Sequence, residues 1–256
     1  DFTTGDRAAI YSLCCGARDR LAYVSSYNRF DWKRRAYTLN VPRPDTLLHQ
    51  VERHLNMLAP LGIKAASPQL VLRLTPGEMA WARAQQPPDR RATAVGHFVA
   101  NWLFKCWEDA KAAAVIDWLQ REKGFGVWLT SGPAAREREK AESIFALCRE
   151  KPSARIGDMT LRQLAALIAT SGLFVGVDSA PTHMAAALGV PTVAVFGPTL
   201  DQVWSPWTSR GTVARSPCQC IAAGKVLCDR NKLRECFAAL PVSAVQQAIE
   251  KVLAKN

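Results

Sequence analysis

A chain of 256 residues with 48% hydrophobic and 21% charged residues has enough apolar surface for one or two buried cores, which excludes a disordered polypeptide. No apolar run approaches the roughly 18 to 20 residues of a membrane-spanning helix. The eight cysteines follow no secretory leader at Asp1 and are not expected to form a disulfide framework, while the formal net charge of +11 asks for anionic partners without naming them.

In chain order, residues 1–4 read as the end of a strand leading into a helix over residues 6–15. A second helix, over residues 46–59, places Leu47, Leu48, Val51, Leu55 and Leu58 on one face, with His49 and His54 on the solvent side and Gly62 after its end. A strand over residues 69–74 precedes a short helix that starts near Pro76. The stretch Gln85-Gln-Pro-Pro-Asp-Arg-Arg91 is the linker candidate, because paired prolines forbid a helix. It divides the chain into an N-terminal α/β domain, 1–86, and a C-terminal one, 87–256.

The second domain repeats one arrangement. Strands over residues 93–96, 126–129, 173–177 and 192–196 each run into polar or glycine-rich residues: His97, Thr130-Ser-Gly-Pro, Asp178 and Gly197. If the strands are parallel, those loops meet at one edge of one sheet, where open α/β sheets bind ligands. Asp178 and Ser179 offer caps to a helix that tolerates Pro181 in its first turn and stops at Gly189 and Pro191. Its free N–H groups suit an anion. Thr160 caps a helix over residues 161–170, and Ser243 caps a last helix over residues 243–254 with Val245, Ile249, Val252 and Leu253 on a stripe. Cys14, Cys15, Cys106 and Cys148 are expected to be buried packing residues. Cys218, Cys220, Cys228 and Cys236 read either as thiolates around a metal or as a structural loop, since no Cys-x-x-Cys pair is present.

Val177-Asp-Ser-Ala-Pro-Thr-His-Met-Ala-Ala-Ala187 followed by Pro191-Thr-Val-Ala-Val-Phe-Gly-Pro-Thr199 resembles the donor-binding signature of the lipopolysaccharide heptosyltransferases, glycosyltransferase family 9. Trp102-Leu-Phe-Lys-Cys-Trp107, Leu129-Thr-Ser-Gly-Pro133, Gly157-Asp-Met-Thr-Leu161 and the terminal cysteines follow in the order of the heptosyltransferase III branch. The resemblance implies a GT-B fold of two Rossmann-like domains with parallel sheets. The first is expected to be incomplete, since the family's early strand and helix units, its acceptor loop and its proposed catalytic base have no counterpart here.

It further implies inverting, metal-independent transfer from ADP-heptose to a lipopolysaccharide inner-core acceptor, with no cofactor, on the cytoplasmic face of the inner membrane. No Asp-x-Asp metal motif occurs. An anionic membrane surface is the expected peripheral partner. Nucleic acid is not, because Lys and Arg are spread through helices rather than gathered with aromatics. An inactive remnant that keeps ADP-sugar binding and a basic nucleic-acid binder are the alternatives.

By the same resemblance, Lys105 contacts the donor diphosphate and Asp178 the heptose hydroxyls, the two being the catalytic candidates. Ser179, Ala180, Thr182 and His183 present N–H groups or side chains to the diphosphate, with His97, Asn101 and Gly197 in the adjoining loops. Met159 packs on the adenine, and Glu137, with Glu139 as a rival, holds the ribose hydroxyls. Plainer readings stand beside these: a snorkelling Lys105, a hydrophobic plug at Met159, a solvated face at both glutamates and a simple helix cap at Asp178. Phe98-Val-Ala-Asn101 replaces the family's usual Pro-x-Ser-Arg or Thr-Thr-Arg, so hydroxyls and a guanidinium expected near phosphate are missing from that loop.

Overall fold

A computed structural model describes residues 1–3, 5–24, 32–42, 47–86, 92–217 and 235–255, which fall into two compact units, Asp1–Pro68 and Gln69–Asn256. In the smaller unit, helix α1 (Asp6–Cys14) is followed by strands β1 (Leu21–Val24) and β2 (Leu39–Pro42) and helix α2 (Gln50–Leu58). The strands pair in parallel, Leu21 opposite Leu39. Tyr23, Val41 and Met57 make a small core against Leu21 and Leu39. Residues 1–3 take no strand conformation.

Two further expectations fail in this unit. His49 is 8% exposed and is the N-cap of α2: its ring accepts from the Val51 N–H while Glu52 accepts from the His49 N–H. That reciprocal cap starts the helix at Gln50. Cys14 and Cys15 are exposed, because the helix that carries them buries only Ala9.

The larger unit contains α3 (Pro76–Ala84), β3 (Thr93–His97), α4 (Asp109–Arg121), β4 (Gly126–Ser131), α5 (Ala135–Leu147), β5 (Ser153–Ile156), α6 (Leu161–Ala169), β6 (Leu173–Val177), α7 (Ala180–Ala187), β7 (Thr192–Phe196), α8 (Asp201–Trp204), β8 (Gly211–Arg215), α9 (Glu235–Ala238) and α10 (Val242–Leu253). Its six strands form one sheet in the order β5-β4-β3-β6-β7-β8, and every pairing is parallel. β3, β6 and β7 are buried along their whole length, which explains their unbroken apolar or small-residue character. Alternate residues serve opposite faces. Ala94 and Val175 join the core under α4 and α10, whereas Val95 and Phe174 join the one under α6 and α7.

The edge strands β5 and β8 were not anticipated. Their residues are exposed or half-buried, Ala214 apart, so neither shows the apolar run that marks a central strand. Residues 69–74, read as a strand, form none. α3 instead packs on α6: Trp81 adjoins the core containing Leu164, and the Arg162 guanidinium binds both Glu78 carboxylate oxygens at 2.6 Å. That fork holds the Glu78 carboxyl down to about 2. The compact second unit therefore begins before α3, at Gln69, and not at the proline pair; Pro87 and Pro88 lie outside the described residues. The last helix starts after Pro241, with Ser243 inside its first turn rather than capping it.

Gly197, at the end of β7, faces the Phe237 ring so closely that an added Cβ would lie 2.2 Å from a ring carbon. Gly197→Ala is expected to destabilise the fold by about 1–3 kcal/mol through overpacking. Urea denaturation checks this, and adding Phe237→Leu should recover part of the loss.

Candidate functional site

The sheet changes direction at β3. From there the chain winds outward through β4 to β5, then returns to place β6 on the other side of β3 and winds outward to β8. His97 and Gly176 are register partners at this switch point. The approach is tight, since a Cβ on Gly176 would lie 2.8 Å from the His97 carbonyl oxygen. Beyond the two strand ends the loops diverge and leave a cavity of about 490 Å³, a size suited to a small ligand. Two larger cavities, of about 680 and 630 Å³, lie along α4 and by the C-terminal end of α7, away from these strand ends.

Lys105 and Asp178 meet in the cavity, Nζ to Oδ2 at 2.7 Å, with side chains 22% and 5% exposed. A turn over Leu103–Lys105 presents the lysine, and buried Cys106 and Trp107 anchor the loop behind it. Lys105 also lies 5.8 Å from the centre of the Trp102 ring, a favourable cation–π arrangement. Asp178 makes no helix cap. Ser179 is the N-cap of α7, and its hydroxyl donates back to the Val177 carbonyl.

The start of α7 offers fewer donors than its sequence suggested. Pro181 has no N–H, and the Thr182 N–H donates to the Ser179 carbonyl at 3.1 Å. The Thr182 hydroxyl donates to the Val177 carbonyl at 2.6 Å. Ser179, Ala180 and Pro181 line the cavity, whereas Thr182 and His183 do not; the His183 ring lies 6.2 Å from that of Trp204. With Pro181 lacking an N–H, Ser179 and Ala180 are the cavity-lining residues at the start of α7 that carry one.

His97 is buried at the floor. The Thr130 hydroxyl donates to the Gly96 carbonyl at 3.2 Å, so its oxygen accepts from His97 Nδ1 at 2.9 Å and leaves Nε2 as an acceptor. Burial holds the imidazole down to about 4, and it is neutral at physiological pH.

Asn101 and Glu137 complete the polar lining, with Leu161 and Leu164 as an apolar wall. Gly132 makes room for Glu137, because a Cβ there would lie 2.3 Å from a carboxylate oxygen. The Arg136 guanidinium donates to Asn101 Oδ1.

Seven of the residues singled out in the sequence, His97, Asn101, Lys105, Glu137, Asp178, Ser179 and Ala180, therefore share one cavity. Met159, half-buried, packs against the cluster that contains Leu164 and does not line the cavity. Gly197 lies under Phe237, and neither Glu139 nor Gly197 lines the cavity. Trp102, Leu161 and Leu164 were missed. Trp102 and Leu161, at a loop and a helix start, are 51% and 69% exposed, whereas Leu164 is buried and carries no such mark. Of the cysteines, Cys148 is a packing residue whose thiol burial pushes up to about 11. Cys218, Cys220 and Cys228 lie outside the described residues, and Cys236 is buried in α9.

Comparison with known proteins places these features in context. The family model for glycosyltransferase family 9 (heptosyltransferase) matches residues 7–233. The chain is 31% identical over 256 residues to lipopolysaccharide heptosyltransferase 3 of Escherichia coli, covering 96% of itself and 72% of that protein. Its fold matches that of E. coli ADP-heptose lipopolysaccharide heptosyltransferase II with a TM-score of 0.77 at 19% identity, over 99% of this chain and 75% of that one. It also matches E. coli heptosyltransferase WaaC with ADP at a TM-score of 0.61 and 21% identity, over 86% and 61% of the two chains.

The neutral His97 gives the site a pH signature. Because its folded pKa lies below the unfolded value of 6.5, the unfolded chain binds the extra proton between these two values, and stability falls as the pH drops through that window. The full loss is on the order of 3 kcal/mol, since each tenfold difference in proton affinity between the two states is worth about 1.4 kcal/mol. Urea denaturation at about pH 7 and about pH 4.5 should show a smaller acid loss in His97→Gln than in the wild type; equal losses would remove His97 as the cause.

Proposed function

The chain belongs to glycosyltransferase family 9, the heptosyltransferases, and on that footing we propose that it moves a heptose from ADP-heptose to a lipopolysaccharide inner-core acceptor, holding the donor in the cavity at the switch point. One observation carries the reading. Lys105, Asp178, Glu137 and the start of α7 converge on a single cavity at the carboxyl ends of β3, β4 and β6. The names of the relatives support the donor and the acceptor class, one of them being called an ADP-heptose enzyme and another having been solved with ADP.

In this reading the diphosphate lies against Lys105 and the Ser179 and Ala180 amides, the ribose against Glu137 and the base against Leu161 and Leu164. The phosphate draws Lys105 away from Asp178, whose freed carboxylate then accepts from heptose hydroxyls. As the acceptor oxygen bonds to the anomeric carbon, the bond from that carbon to the diphosphate oxygen breaks and its electron pair stays on ADP. The hydroxyl proton goes to a base. Lys105 and the amides stabilise the charge gathering on ADP, and one preorganised donor of this kind is worth about 2.7–4 kcal/mol. Inversion at the anomeric carbon and metal independence follow the family resemblance. The charge of +11 supports peripheral attachment to an anionic leaflet on the cytoplasmic side, and among the described residues no helix is long and apolar enough to cross a membrane.

Calorimetric titration should give saturable ADP binding that Lys105→Ala weakens by about 10- to 100-fold, the loss of one charge-assisted hydrogen bond. Tight, salt-sensitive oligonucleotide binding without ADP binding would overturn the proposal in favour of a nucleic-acid binder. With ADP-heptose and a heptosylated core acceptor, ADP should be released together with glycosylated product; ADP binding with no turnover would leave only a binding remnant.

A further inference from the structure

We propose that Arg136 is a diphosphate-binding residue of this cavity, poised at its rim by Asn101; the inference rests on the ADP-sugar reading above. It starts from charge. The ionised side chains lining the cavity are Lys105, Asp178 and Glu137. Lys105 and Asp178 neutralise one another at 2.7 Å, and buried His97 is uncharged at neutral pH. The remaining ionisable side chain is Glu137, so the lining side chains supply no uncompensated positive charge to a diphosphate, and the helix N-terminus contributes only about half a charge.

Arg136 corrects the imbalance. It is exposed, in the first turn of α5, and its guanidinium donates to the side-chain oxygen of Asn101, which lines the cavity. The bond joins the start of α5 to the loop after β3, beside the lining residues Asn101 and Glu137. Of the neighbouring cations of α5, Lys140 pairs with Asp109 and the Arg138 methylenes pack on Gly157. Adjacent residues on a helix do not face one another, so Arg136 and Glu137 are free to serve different parts of one ligand.

A guanidinium has five N–H donors in a planar fork. The bond to Asn101 orients the fork and leaves donors for two phosphate oxygens, an arrangement a lysine does not reproduce. Because the side chain is exposed and hydrated, turning its remaining donors toward a phosphate demands no breaking of a buried pair. Lys105, held by Asp178 until the ligand competes for it, then takes the second phosphate contact.

Titration of the wild type, Arg136→Ala, Arg136→Lys and Asn101→Ala with ADP and with adenosine, at low and high salt, tests this. Arg136→Ala should weaken ADP about tenfold or more, as loss of a charged phosphate contact requires, leave adenosine within about twofold, and flatten the salt dependence of ADP binding. Arg136→Lys should recover part of the loss, and Asn101→Ala should lose less than Arg136→Ala. Wild-type binding of ADP with Arg136→Ala unaffected overturns this inference alone, as does an equal loss of ADP and adenosine, which marks damage to the rim. No saturable ADP binding by the wild type overturns the donor reading and this inference together.

Discussion

The site depends on the parallel pairing of β3 and β6. Because these strands are neighbours in space yet far apart in the chain, the connections leaving them turn in opposite directions and open a crevice that no other strand pair of this sheet provides. The pairing is close enough that Gly176 admits no side chain toward the His97 carbonyl. Residues on separate loops, Lys105 after β3 and Asp178 after β6, are thereby brought to 2.7 Å.

That contact sets the electrostatics of the cavity. Asp178 is nearly buried, and a carboxylate there without a counter-charge would be costly, so Lys105 stabilises it until another group replaces it. In the proposed reading, a ligand with its own negative charge competes for the lysine while its hydroxyls satisfy the aspartate. The buried His97, neutral and hydrogen-bonded to Thr130, keeps further charge out of the floor. Closely packed strand ends, a compensated ion pair and a neutral floor thus meet at one cavity.

The loop after His97 illustrates how packing and binding divide the residues. Phe98, Val99 and Ala100 are buried, and Phe98 joins the core beneath α4. They fill space at the position where the family resemblance led one to expect hydroxyls and a guanidinium. Polar function in this loop is left to Asn101 and Lys105, the residues that turn outward again. A loop that has become part of the core needs its charge from a neighbouring element, and α5 supplies a guanidinium to the same rim.

The four central strands were legible because each is a short apolar or small-residue run ending at a polar or glycine-rich turn, and burial on both faces leaves that mark on a sequence. β5 and β8 were not, since an edge strand needs only one neighbour and carries no such pattern. The amino-acid order by itself determined the four central strands with their polar loops and the cap at Thr160, which rest on interactions within a few residues, and the candidacy of Lys105 and Asp178 through the motifs of the family resemblance. Tertiary structure alone decided that α3 joins the second unit, that Met159, Thr182, His183 and Gly197 stand outside the cavity, and that Trp102, Leu161 and Leu164 line it. The reason is that strand order, side-chain competition for a buried partner and the space left between packed elements are properties of residues distant in the chain, which no local pattern encodes.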